Sequence, residues 1–254
     1  MPKVAFVTNA KEYAGPPAAA ALARAGWDVF CSDQSFASTS SRKIYELENP
    51  RRYAASARDA AEFVAEGLAR FGRIDALISN DIPTGSRLLA GASAEPLSDA
   101  SDLLDEVEVL LDTLVAEPVR LLRAALPLMK AARSGSIVLV TSGAPLRTPT
   151  QVGVSHIYIA ARAATNALTK SLAREVGAYN IQVNAVAPFF VYSPTFFPSE
   201  IGAKDPKYMP FMNQCVPMQR FGAPEEIGTL IALLGSCEMG FVSGQVIAFS
   251  GAGC

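Results

Sequence analysis

Short, continuous apolar runs alternate along the chain with longer stretches in which apolar residues recur every three or four positions. Val4-Ala5-Phe6-Val7 is the first run, and "GPPAAAALARAG" after it opens on proline, continues in Ala and Leu and closes on glycine, the punctuation of a helix. Trp27 to Cys31 forms a second strand, and "ARDAAEFVAEGLARFG" a helix ending at Gly72 with Arg70 in its last turn. A strand from Asp75 to Ser79 runs into "SNDIP". The periodicity from about Asp99 to Ala132 predicts one long helix, with Pro118 and Pro127 as kinks or breaks. Ser136 to Ser142 has the uninterrupted β-branched character of a strand covered on both faces. Three further elements in this alternation are the helix "YIAARAATNALTKSLAREVG", the strand "IQVNAVAP" and the helix "APEEIGTLIALLGS", and "GQVIAFSG" supplies the final strand.

Six or seven short strands separated by helices predict a single Rossmann-like α/β domain over residues 1–254, a doubly wound parallel sheet of about seven strands with helices on both faces. Ligands in such sheets bind beyond the carboxyl ends of the strands, so chemistry is expected at residues 8–15, at 80–83, from Ser142 onward and from Pro188 onward.

Composition narrows the function. With 22 basic and 24 acidic residues, a net charge of -2 and no long like-charge run, the chain has no basic surplus for nucleic acid or anionic lipid. No apolar run approaches the roughly 20 residues that span a bilayer, and the N-terminus shows no export signal, so a soluble cytoplasmic protein is expected. Cys31, Cys215, Cys237 and Cys254 stand far apart without metal or redox spacing and are expected to be free thiols.

Ser142, Tyr158 and Arg162 are the strongest chemical candidates. Tyr158 and Arg162 lie four apart in a helical pattern, one turn above each other on one face. A positive charge within about 4–6 Å of a phenol favours the phenolate, so Arg162 can make Tyr158 a usable base. Ser142, just past a buried strand, can hold a substrate oxygen while Tyr158 removes or returns its proton.

The strand ending in Ser142, the Tyr-x-x-x-basic helix and "VNAVAP" together resemble the short-chain dehydrogenase/reductase superfamily over essentially the whole chain. The departures from that superfamily are themselves a pattern. The basic residue is Arg162 where the superfamily usually has Lys. The first turn, Thr8 to Gly15, keeps one of three usual glycines, and Pro188-Phe189 stands where Pro-Gly is usual. These features, with Thr8, Tyr13 and Gly15 in the spacing Thr, four residues, aromatic, one residue, Gly, and the segments "SNDI" and "FASTS", resemble the halohydrin dehalogenases, a cofactor-independent branch. The resemblance implies a lyase that converts vicinal haloalcohols to epoxides with release of halide and proton. It implies the reverse opening of epoxides by small anions (halide, azide, cyanide, nitrite), with no nicotinamide cofactor and no metal. It assigns Ser142 to the substrate oxygen, Tyr158 as base and Arg162 as the group that lowers its pKa. Tyr13, Pro188, Phe189, Phe190 and Val191 would form the halide pocket, with Thr8, Asp81, Ile82 and Phe197 lining the substrate pocket. It also implies a homotetramer, or a dimer, built through the two long helices, with small haloalcohols, epoxides and anions as the partners.

Two other functions stay open: a nicotinamide-dependent reductase with an unusual first turn, and a catalytically silent member that only binds ligands. Asp33, where a dinucleotide enzyme places its ribose-binding acid, is expected instead to cap a loop. His156 is expected to be structural. Fifteen residues, Gly143 to Ile157, separate Ser142 from Tyr158 where the family usually has twelve, and the three extra are expected to bulge outward in "LRTPTQVGVSH" and reshape the pocket mouth.

Overall fold

A computed structural model of the chain describes residues 1–57, 59–83, 103–147, 156–193 and 213–254. Seven parallel strands, β1 (Val4–Val7), β2 (Asp28–Cys31), β3 (Arg52–Ala54), β4 (Ala76–Ser79), β5 (Gly135–Val140), β6 (Ile181–Pro188) and β7 (Val246–Phe249), form one sheet in the order β3-β2-β1-β4-β5-β6-β7. This is a single α/β domain of Rossmann type, as the alternation of runs predicts. The strand order reverses direction between β1 and β4, so the crevice for a ligand opens where their two C-terminal turns meet.

Alternate residues of each strand feed two cores. Ala5, Val7, Val29 and Ile78 face α1 (Gly15–Arg24) and the last helix, Pro224–Gly235. Val4, Phe6, Phe30 and Leu77 face the helices of the other side. Those helices are α3 (Ala60–Phe71), a helical run from Leu103 to Ala132, and His156–Val176. Between β2 and β3 lies α2 (Thr39–Leu47), and neither α2 nor β3 stands out in the hydrophobic pattern. Among α2 residues only Tyr45 is buried, and β3 is a three-residue edge strand, so both carry weak signals.

The predicted long helix is interrupted. α4 (Leu103–Leu111) passes through a π-helical turn, Asp112–Ala116, into α5 (Glu117–Ala132), and residues 99–102 lie outside those described. The cause is Pro118. Lacking an N–H, it cannot serve the carbonyl of Leu114 four residues back, and the helix widens by one residue there. Pro127, by contrast, sits inside α5 without ending it. The subsequent helices are α6 (His156–Val176) and α7 (Pro224–Gly235).

Candidate active site

The turn after β1 and the turn after β4 clasp each other through two asparagines. Asn9 Nδ2 donates to Asn80 O at 2.8 Å, while Asn80 Nδ2 donates to Asn9 O at 3.0 Å and to Glu12 O at 2.9 Å. The Thr8 hydroxyl oxygen accepts the Asn80 N–H at 2.8 Å. Asn9 and Tyr13 both take positive φ, 47° each, where a dinucleotide turn would have glycines. Gly15 is kept for a different reason: a Cβ there would lie 2.2 Å from Asn9 O.

That turn leaves helix α1 without an anion site. A pyrophosphate is held by free N–H groups at a helix N-terminus. Here Pro16 and Pro17 have none, the Gly15 N–H is used on Glu12 O at 2.9 Å, and the Ala18 N–H closes onto Ala14 O at 3.1 Å. The Asp33 carboxylate is engaged as well, accepting the Lys11 N–H at 2.9 Å, the Ser35 N–H at 2.9 Å and the Ser35 hydroxyl at 2.7 Å. It caps a loop, as expected from the sequence. The first turn of α1 thus offers a pyrophosphate no free N–H, and the acid at the end of β2 is already bonded within its own loop.

Tyr158 and Arg162 are one turn apart on α6, and Arg162 Nε donates to the Tyr158 oxygen at 3.3 Å. Arg162 is 2% exposed, and main-chain carbonyls at the end of β5 and just beyond β4 fix its plane: Nη1 donates to Val140 O at 3.0 Å and Nη2 to Asp81 O at 2.7 Å. One guanidinium thus joins the ends of β4 and β5 to the phenol, a three-way fork that a lysine cannot form. Two residues beyond Val140, Ser142 is buried and its oxygen accepts the Ala144 N–H at 3.1 Å, which leaves its own proton to donate. Tyr13 is electrostatically coupled to the same pair. Burial pushes its phenol far up, with a smaller raising effect from Tyr158 that Arg162 offsets, so Tyr13 stays a neutral hydroxyl.

Asp81 contributes its carbonyl to Arg162 and buries its carboxyl. Burial pushes that carboxyl up to about 6, against the lowering effects of the Ser79 hydroxyl, which donates to it at 2.5 Å, and of the Arg162 charge. Ile82 is buried beside it in the chain. On the other flank, Pro188 O accepts the Gly143 N–H at 2.9 Å and so ties the end of β6 to the Ser142 loop. The remaining pocket candidates divide between two clusters. Val191 belongs to the sheet-face core against which Tyr13 packs, whereas Phe190 forms a second cluster with Val216 and Phe221, joined by Phe189. The Phe189 N–H is used on Phe249 O at 3.0 Å, so Phe189 can supply a wall for an anion but no amide donor. Arg147 stacks over the Phe189 ring at 4.5 Å. Phe197 and residues 148–155, most of the segment expected to bulge, lie outside the described residues. His156 is the exposed first residue of α6, and all four cysteines are free.

Asn9 and Asn80 were not singled out by their motifs. The available signal was an asparagine at the exit of each of two adjacent strands, one of them at a position that needs positive φ.

The family model described as enoyl-(acyl carrier protein) reductase matches residues 15–251. The chain belongs to the short-chain dehydrogenase/reductase superfamily. Within it, the chain is similar to proteins of two kinds. It is 31% identical to an uncharacterized NAD-dependent oxidoreductase of Mycobacterium tuberculosis, over 96% of this chain and 93% of that one. It is also similar to a solved structure described as a dehalogenation enzyme, with 34% identity, a TM-score of 0.88 and coverage of 100% of this chain and 98% of that one. A third relative is a halohydrin dehalogenase bound to ethyl (2S)-oxiran-2-ylacetate, 29% identical with a TM-score of 0.88, covering 98% of this chain and 96% of that one. Among the described residues no helix is long and apolar enough to cross a membrane, and no cluster of ligating side chains suited to a metal is present.

Proposed function

We propose that the protein is a halohydrin dehalogenase, a carbon–halogen lyase that works without a nicotinamide cofactor. The observation that carries this is the pairing of an intact Tyr158–Arg162 couple with a helix α1 whose first turn offers no donor to a pyrophosphate. The similarity to two solved dehalogenases supports it.

A vicinal haloalcohol would place its hydroxyl between Ser142 and Tyr158. The Ser142 hydroxyl donates to the substrate oxygen, and Tyr158, acting as a phenolate beside the Arg162 Nε–H, takes the substrate proton and afterwards passes it to water. The substrate oxygen then attacks the neighbouring carbon from behind. A C–O bond forms, the C–halogen bond breaks, and the halide leaves with the bonding pair, giving epoxide, halide and a proton. In reverse, a small anion opens the epoxide and Tyr158 returns the proton. We assign the leaving halide to the space walled by Tyr13, Pro188, Phe189, Phe190 and Val191, and the organic part to Thr8, Asp81, Ile82 and Phe197. A weakly hydrated, polarizable halide suits aromatic walls better than a phosphate does. The Tyr13 phenol, held neutral, can donate to it.

The test is direct. Purified protein incubated with a small vicinal bromoalcohol and no nicotinamide should release bromide and acid, and Tyr158→Phe should lower that rate by roughly 10²–10⁴-fold. The similarity to an NAD-dependent oxidoreductase favours the opposing function, a reductase. Saturable quenching of NADH fluorescence with no bromide release would establish that function and exclude the dehalogenase.

A further inference from the structure

We propose that Thr165 is a positioning residue for Tyr158, acting through the π-helical turn that Pro118 creates in the neighbouring helix. A threonine inside a helix ordinarily bonds back to the carbonyl four residues earlier. In α6 that acceptor, Ala161 O, lies 3.2 Å from the Thr165 hydroxyl, but Leu114 O on the facing π turn is closer, at 2.7 Å. Leu114 is the residue four before Pro118, and its carbonyl is the one that proline cannot serve. The hydroxyl of α6 thus supplies the hydrogen bond that the sequence of α5 withdraws, and it does so at a buried site where an unmet carbonyl is costly.

The same turn holds the phenol. The Leu114 side chain is fully buried with Leu110 and Ala161, and Tyr158 packs against that group together with Val115 and Ile157. One face of Tyr158 is therefore set by the cluster to which the π turn contributes Leu114, and its hydroxyl end by Arg162 Nε. Thr165 latches the first to α6 itself, on which both Tyr158 and Arg162 ride. Release of the latch lets the Leu114 turn move relative to α6, and the ring shifts with it. General-base chemistry falls steeply with such displacement, while binding by the rest of the pocket does not.

The role of the latch in turnover rests on the dehalogenase proposal, so the experiment carries one arm that does not. With 3-fluorotyrosine placed at position 158, the ¹⁹F resonance should shift or broaden in Thr165→Val, which keeps the shape and loses the hydroxyl, and return to the parent position in Thr165→Ser. Leu114→Ala, which removes the contact and leaves the carbonyl, should move the same signal and decides the matter if Thr165→Val does not fold. In the bromoalcohol assay Thr165→Val should lower kcat by about tenfold or more with KM within about threefold, and Ser should restore it. An unmoved resonance in folded Thr165→Val, or in Leu114→Ala, overturns the proposal. An absence of bromide release by the parent protein overturns the dehalogenase function alone, and the ¹⁹F arm still decides the latch.

Discussion

Asp81 titrates at about 6 in the folded protein against an ordinary value of 3.8, because burial disfavours its charge more than Ser79 and Arg162 favour it. A raised carboxyl contributes stability that is complete below the unfolded value and lost as pH climbs through the folded one. The cost of ionising it approaches about 3 kcal/mol above pH 6. Urea unfolding measured in steps from pH 4 to pH 7 should show this decline in the parent protein and a flatter curve in Asp81→Asn; equal slopes would show that Asp81 does not set it. Asn166, one turn past Arg162, presents a different expense. It is 7% exposed, and among the described residues neither polar atom of its amide has a hydrogen-bond partner. Asn166→Val removes both atoms within nearly the same volume and should raise stability by about 1 kcal/mol, read as a higher denaturation midpoint. At this scale the contact between Tyr158 and Arg162 was legible, since a Tyr and an Arg four apart on a helix have to meet. The asparagine clasp and the Thr165 latch were not, because each joins residues some 50 to 70 positions apart that only the fold brings together.

The turn between β1 and α1 shows how elements share the work of the site. α1 is seated by α7, and the contact is so close that a Cβ on Gly228 would lie 2.4 Å from Pro17 O. Gly228→Ala must push the two helices apart at Pro17, in the first turn of α1, because the clash is with backbone atoms. Overpacking of this kind should cost about 1–3 kcal/mol, measurable in the same unfolding experiment, and any loss of activity should accompany displacement of the Tyr13 turn. Elements with strong patterns, β1, β4, β5, β6 and the helices on either face, were legible because both faces of the inner strands are covered. α2 and β3 escaped notice because an exposed edge strand buries too little to leave an apolar run. The π turn escaped for the opposite reason. Its apolar periodicity continues through Pro118, so the sequence announces a break without showing that the helix widens and carries on.

At the scale of the whole molecule, the helices that hold the site also leave apolar surface uncovered. Val109 on α4 is 50% exposed, Leu111 43% and Val119 on α5 43%. The outward side of α6 exposes Ala160, Ala163, Ala164 and Ala167, small residues over which another helix can approach closely. We propose that this face receives a second copy of the same chain, with a two-fold axis setting each helix against its twin. The consequence for the site is mechanical. Those alanines alternate along α6 with Ala161, Arg162 and Thr165 on its inner side, so a partner pressed on the outer face would stiffen the helix that positions Tyr158. Light scattering on the purified protein should give a mass that is a multiple of the 26.8 kDa chain. Ala164→Glu, which places a charge in the middle of the face, should reduce that mass and lower turnover together, with little change in the far-ultraviolet circular dichroism of the separated chains. A parent protein that runs as a monomer would remove the interface, and a smaller assembly at full activity would show that the site needs only one copy of α6.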